Sequence, residues 1–287
     1  MSLLLFLENS ALAFTAACVL LGLMVGSFLN VVIHRLPIML ERDWQAEYAP
    51  SSSEAPSETF NLVVPRSRCP HCGHAITAPE NVPILSYIVL RGRCRACHAP
   101  ISPRYLAVEA LTGLFSGFVA WHFGWGLPAL GGLFLTWGLV VLSGIDLEKQ
   151  LLPDAVNLPL LWLGLLFNTR HVYTDLTSAV WGAAAGYLSL WVVYHLFKLA
   201  TGKEGMGFGD FKLFALLGAW MGWQQLPVII LLAAGVGATT GLALIGLKRH
   251  AQGTPIPFGP FLAAAGWVTL LWGHTLTTAY LGASGVH

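Results

Sequence analysis

Gly205-Met206-Gly207-Phe208-Gly209-Asp210-Phe211-Lys212-Leu213 sets a carboxylate directly behind three alternating glycines and at the start of an apolar run. The chain contains only five aspartates, so an acid kept at the edge of an apolar segment carries weight. Glycine opens backbone conformations closed to other residues and lets a second chain approach closely. Gly205, Gly207 and Gly209 are therefore read as a loop able to seat an extended substrate segment; a hinge between two helices is the plainer reading of the same glycines. A second acid, Asp146, closes another apolar segment in Gly144-Ile145-Asp146-Leu147.

Outward from this stretch the chain is dominated by apolar segments. The 287 residues are 55% hydrophobic and 10% charged, a composition far from that of a soluble domain and close to that of a polytopic membrane protein. Apolar runs at about 11–33, 105–122, 127–145, 155–168, 176–199, 211–223, 226–247 and 258–281 predict an all-α polytopic membrane protein with about eight transmembrane helices. The runs at 155–168 and 211–223 are short for full spans. The first run lacks a preceding positive charge, and Arg35 follows it, so it reads as a retained span and not a cleaved secretory signal.

Three parts follow: a first transmembrane helix over 1–33, a polar cytoplasmic loop over 34–104, and a seven-helix membrane domain over 105–287. Residues 48–59 are Pro- and Ser-rich and are expected to form a flexible insertion within the loop. With that loop inside, every Lys and Arg except Arg170 falls on the inner side, in keeping with the positive-inside rule, and both termini fall outside. The net charge of +1 carries no basic patch, so nucleic acid is not an expected partner; membrane lipid is.

The same count puts Asp146 at the end of the third span and Asp210 at the start of the sixth, both at the inner boundary. An ionisable group at the bilayer centre costs about 2.5–3.5 kcal/mol on insertion scales, less at the boundary, so a chain keeps one there mainly for a partner or a task. Solvated helix caps are the bland alternative for both. Asp154, in Leu152-Pro153-Asp154-Ala155, looks more like an N-cap opening the fourth segment.

In the polar loop, Cys69-Pro70-His71-Cys72-Gly73 and Cys94-Arg95-Ala96-Cys97 form two C-x-x-C pairs. Paired knuckles of this kind suit a closed tetrahedral zinc site, structural because four thiolates leave no open position. Local disulfides are the alternative, disfavoured in a reducing cytosol. His71, His74 and His98 are substitute ligands on the same loop, and Cys18 is expected to pack as a small apolar residue.

Gly205–Leu213 resembles the signature of the bacterial type IV prepilin peptidases, members of the GxGD aspartyl proteases. The resemblance extends to Gly26-Ser27-Phe28-Leu29-Asn30-Val31-Val32-Ile33-His34-Arg35-Leu36-Pro37, both cysteine pairs, Ile101-Ser102-Pro103-Arg104-Tyr105 and Pro257-Phe258-Gly259-Pro260-Phe261. It implies that Asp146 and Asp210 are a catalytic pair. That pair would cleave prepilins and pseudopilins after the glycine ending a short basic leader, at the cytoplasmic face of the inner membrane. It also implies N-methylation of the newly exposed residue from S-adenosylmethionine, for which no donor site is readable. The alternative of a different class is a proton-coupled transporter or channel using the same aspartates. Transport predicts acids near midplane and repeated halves, whereas these acids stand at one boundary.

Overall fold

The computed structural model describes residues 3–48, 59–203, 205–247 and 256–284. Among them the chain is helical, with no strand and only two isolated antiparallel bridges. It divides into two compact units, Met1–Trp125 and Gly126–His287. Residues 49–58, which make up most of the expected flexible insertion, lie outside the described residues.

The first unit holds α1 (Leu3–Asn9), α2 (Ala11–Tyr48), α3 (Leu85–Val89) and α4 (Pro103–Phe123). α2 runs well past Ile33, where hydropathy alone ends the span. Its polar extension is anchored by Arg35, which is 7% exposed and donates to the Asn61 carbonyl at 2.9 Å and the Pro65 carbonyl at 2.6 Å. The Arg42 guanidinium lies over the Phe60 ring at 4.3 Å, so both ends of segment 60–65 are held to the helix. Ser102 opens α4 by accepting from the Arg104 N–H, and α4 packs along α2. The contact is close at Gly26, where an added Cβ would stand 2.9 Å from Glu109 Cα. Beside this tight contact Asn30 donates from Nδ2 to the Tyr105 carbonyl at 3.0 Å.

The second unit holds α5 (Leu127–Lys149), α6 (Asp154–Asn168), α7 (Leu176–Thr201), α8 (Phe208–Met221), α9 (Leu226–Gly246) and α10 (Gly259–Ser284). α5 stops at Gln150, whose left-handed backbone (φ 51) turns its N–H back onto the Asp146 carbonyl at 2.9 Å. Asp175 caps α7, accepting from the Ser178 N–H at 2.8 Å. α8 is buried from Asp210 to Met221 except at Lys212, enclosed by α6, α7 and α10. Its backbone meets that of α7 at Gly182 and Gly218, where any side chain would strike the opposing carbonyl. At its far end Trp220 donates from Nε1 to the Leu160 carbonyl at 2.9 Å, and Asn168 donates to the carbonyls of Ala219 and Trp220.

Each of the eight apolar segments becomes a helix (α2 and α4 to α10). By length and composition, five stretches among the described residues suffice to cross a membrane: Ala11–Glu47, Pro103–Phe123, Leu127–Lys149, Leu176–Thr201 and Trp223–Leu244. α6 is a shorter apolar helix, and α8, with 14 residues, is about 21 Å long at 1.5 Å per residue, short of a bilayer's hydrocarbon core.

Candidate active site and metal centre

Asp146 stands in the last turn of α5 and Asp210 in the first turn of α8, 5% and 8% exposed respectively. α8 can begin where it does because Gly207 is extended (φ −83, ψ 148) and its carbonyl accepts the Asp210 N–H at 3.2 Å. The two carboxyl groups lie within electrostatic reach of each other. Leu152, in the link from α5 to α6, is the apolar wedge beside them. A Cβ on Gly209 would stand 2.8 Å from Leu152 Cβ, and one on Gly259 would stand 3.2 Å from Leu152 Cδ2.

Gly259 contributes a group that the sequence reading left without a role. Its backbone N–H donates to Asp146 Oδ2 at 3.0 Å, and an added Cβ would stand 2.6 Å from that oxygen. The start of α10 thus fixes one edge of Asp146, and only glycine leaves room for it. The sole clue in the sequence was Pro257-Phe258-Gly259-Pro260, a glycine between prolines at a helix start; a main-chain donor has no residue type of its own.

The three signature glycines meet different surroundings. A Cβ on Gly205 would meet the Phe197 ring at 2.8 Å, Gly209 packs on Leu152, and Gly207 faces the Asp210 carboxyl, with a Cβ there 3.8 Å from Oδ2. Phe208, Phe211 and Tyr194 form an aromatic cluster at this end of α8, with ring centroids 5.2 to 5.8 Å apart. Asp154 is not the N-cap that the sequence suggests: Pro153 occupies that position, and Asp154 takes both oxygens to Lys212 Nζ at 2.7 Å. Both partners are partly exposed, so the pair is worth at most about 1 kcal/mol. It nonetheless ties α6 to α8 two residues beyond Asp210.

Two enclosed carboxyl groups within electrostatic reach of each other can share a proton, and such an arrangement is chemically suited to activating water with one oxygen while donating a proton from the other. No nucleophilic side chain is needed for that chemistry.

In the first unit the sulfurs of Cys69, Cys72, Cys94 and Cys97 all lie within 4.8 Å of one another, and all four cysteines are free thiols. Cys69 and Cys97 are 3.8 Å apart and Cys72 and Cys94 3.9 Å. A tetrahedral ion with Zn–S bonds of about 2.3 Å needs sulfurs about 3.8 Å apart, so the set fits zinc. Each pair sits on a small hairpin. The Cys69 N–H donates to the His74 carbonyl and the Gly73 N–H to Cys69; the Cys94 N–H donates to Ala99 and the His98 N–H to Cys94. The bridges Arg68 to Ala75 and Arg93 to Pro100 close both hairpins, and Gly73 (φ 72) and His98 (φ 57) hold the matching left-handed turn. Backbone N–H groups of Cys72 and His71 hold the Cys69 thiol down at about 7, whereas Cys72, despite its backbone bond from His74, is pushed up to about 12 by burial and by the neighbouring cysteine thiols.

The histidines are not needed as ligands. His74 turns its Nε2 to Glu80, at 3.2 and 3.3 Å from the two oxygens. Glu80 also accepts the N–H and hydroxyl of Thr77 at 2.8 and 2.9 Å and lies 3.8 Å from Arg95 Nη1. These donors, Thr77 foremost, hold the Glu80 carboxyl down at about 2. One carboxylate therefore links both hairpins, a contact that nothing in the spacing of Glu80 announces.

The comparisons with known proteins follow the same two parts of the chain. The model of the bacterial peptidase A24 N-terminal domain matches residues 20–123, and that of the type IV leader peptidase family matches residues 133–242. Proteins named prepilin leader peptidase/N-methyltransferase from Stutzerimonas stutzeri, Aeromonas hydrophila and Pseudomonas aeruginosa are 57%, 60% and 54% identical to the chain. The alignments cover 96%, 91% and 99% of this chain and 96%, 92% and 99% of the respective relatives. No solved structure matches.

Proposed function

We propose, for a chain that belongs to the type IV leader peptidase family, that Asp146 and Asp210 are the catalytic dyad of a membrane aspartic endopeptidase that removes the leader from prepilins. The same enzyme then N-methylates the residue it exposes, with S-adenosylmethionine as methyl donor. The observation that carries the site assignment is the meeting of two buried acids from separate helices, one of them pinned by the Gly259 N–H. Neither the family nor the named relatives favour the transporter reading.

In this mechanism a water lies between the carboxyl groups and the scissile carbonyl. The ionised carboxylate takes a proton from the water as its oxygen attacks carbon, and the protonated partner gives its proton to the carbonyl oxygen. Collapse of the tetrahedral intermediate breaks the C–N bond, and the leaving nitrogen takes up a proton from the dyad. The products are the leader's carboxyl terminus and a new amino terminus on the pilin. Gly259 holds Oδ2 of Asp146 and so fixes that carboxyl group for proton exchange with Asp210, the two acting as one coupled pair. Gly205, Gly207 and Gly209 form the seat over which an extended substrate segment passes.

Pseudopilins are substrates of the same chemistry, and cleavage follows the glycine that ends the basic leader. The enzyme sits in the inner membrane, surrounded by lipid, with the dyad and the cysteine loop cytoplasmic and both termini periplasmic. This placement follows from the distribution of Lys and Arg. The functional parts are a first membrane helix (1–33), whose continuation to Tyr48 opens a metal loop (34–104), and a seven-helix catalytic domain (105–287). Cys69, Cys72, Cys94 and Cys97 would hold a zinc ion whose contribution is to fold the loop. Purified protein in detergent, incubated with a prepilin, is expected to release the leader with or without S-adenosylmethionine and to methylate the product only with it. Absence of leader release from folded protein would refute the proposal.

A further inference from the structure

α6 carries a buried amide for which the dyad mechanism has no use. Asn157 is 1% exposed, and neither its Nδ2 nor its Oδ1 has a hydrogen-bond partner among the described residues. A buried polar group left unsatisfied costs its desolvation, and an apolar side chain of similar size avoids that cost. An asparagine here calls for a partner that the described polypeptide does not supply.

Its position says which partner. The Asn157 backbone N–H donates to the Pro153 carbonyl at 3.0 Å, so it stands one helical turn beyond Pro153, the neighbour of Leu152, which packs on both Gly209 and Gly259. The buried residues of α6 are Asn157, Gly164 and Asn168. Gly164 lies against Trp220 and Asn168 bonds Ala219 and Trp220, which identifies this stripe as the one that meets α8. At the other end of the same two helices, Asp154 joins Lys212. α6 and α8 therefore run side by side in one direction, and Asn157 stands one turn inside the Asp154–Lys212 pair, beside the first turns of the helix that carries Asp210.

We infer that Asn157 is a substrate-binding residue, its amide taking up the N–H and C=O of one peptide unit in the extended segment presented to Asp146 and Asp210. A primary amide offers one donor face and one acceptor face in a plane, the complement of a peptide unit, and here both are unsatisfied together. The inference rests on the dyad as the site of cleavage.

The test compares purified full-length Asn157→Leu and Asn157→Thr with the parent on a prepilin in detergent, with Asp210→Asn alongside. Leu keeps the branched shape and heavy-atom count, with somewhat bulkier methyl groups, and removes both polar groups. It is expected to leave the thermal midpoint equal or higher and to lower kcat/KM roughly ten- to a hundredfold, through KM. Thr retains one hydroxyl that donates and accepts, and is expected to restore part of the loss. If Leu does not fold, Thr decides: KM raised severalfold supports the inference, and an unchanged KM overturns it. A folded Leu variant with kcat/KM within about twofold of the parent overturns it, and so does a loss confined to kcat, which would assign the amide to the attacking water. Full activity in Asp210→Asn would instead remove the dyad, whatever Asn157 does.

Discussion

The four cysteines of the first unit reach one another through two short hairpins that repeat the same elements, whereas the two aspartates of the second unit come from the ends of helices separated in the chain by α6 and α7. In the hairpins each ligand is placed by its own neighbours: a backbone bond from the first cysteine, a left-handed residue, a closing bridge. The dyad has no such local frame. Asp146 is placed by the turn at Gln150 and by Gly259 from α10, and Asp210 by the extended Gly207 and the contact of Gly209 with Leu152. A site written locally depends on its ligands, whereas a site assembled by packing also depends on residues that have no side chain at all.

That contrast can be broken by substitution. Cys94→Ser removes one of four thiolates from a centre whose metal affinity is folding energy, of order 10 kcal/mol for structural zinc, and is expected to bring zinc content from one ion per chain to near none. Elemental analysis together with limited proteolysis of the loop checks this; a zinc content equal to the parent's would mean that the cysteines are not the metal centre. Gly259→Ala adds a single methyl group against Asp146 Oδ2 and is expected to lower kcat roughly a hundredfold with zinc content unchanged, since small misplacement of a reacting group costs about that much. Parent-like kcat would show that the α10 contact does not position the acid.

The smallest effect belongs to Glu80→Gln. The Glu80 carboxyl is lowered from its ordinary 4.5 to about 2, so its stabilisation of the hairpins is fully present above about pH 4.5 and is lost as pH falls through about 2. Hydrogen exchange at the Thr77 amide, which donates to Glu80, is expected to show protection in the parent that fades over that window, and weaker protection throughout in the variant. Equal protection in both proteins at pH 6 would show that the carboxylate does not hold the loop.

The helices were legible because apolar runs of this length have few other fates, and each of the eight runs became one. Their crossing of a bilayer was less so: α8 reads as a short span by composition, and in the structure its 14 residues are largely buried among α6, α7 and α10. The end of α2 was misplaced because hydropathy falls at His34-Arg35 while the helix continues, with Arg35 inward and bonded to Asn61 and Pro65. The cysteines were legible from spacing alone. Asp146 and Asp210 stood out as rare acids at apolar boundaries, but Gly259 acts through its main chain and Asn157 through burial, and neither property is written in residue type.

The central claim is that Asp146 and Asp210 together cleave the prepilin leader. The direct test is leader release by Asp146→Asn and Asp210→Asn, each purified in detergent and matched to the parent in thermal midpoint and zinc content. Each is expected to fall at least about 10⁴-fold, because loss of either member disables a unit that shares one proton. Cleavage near the parent rate by either variant would contradict the account.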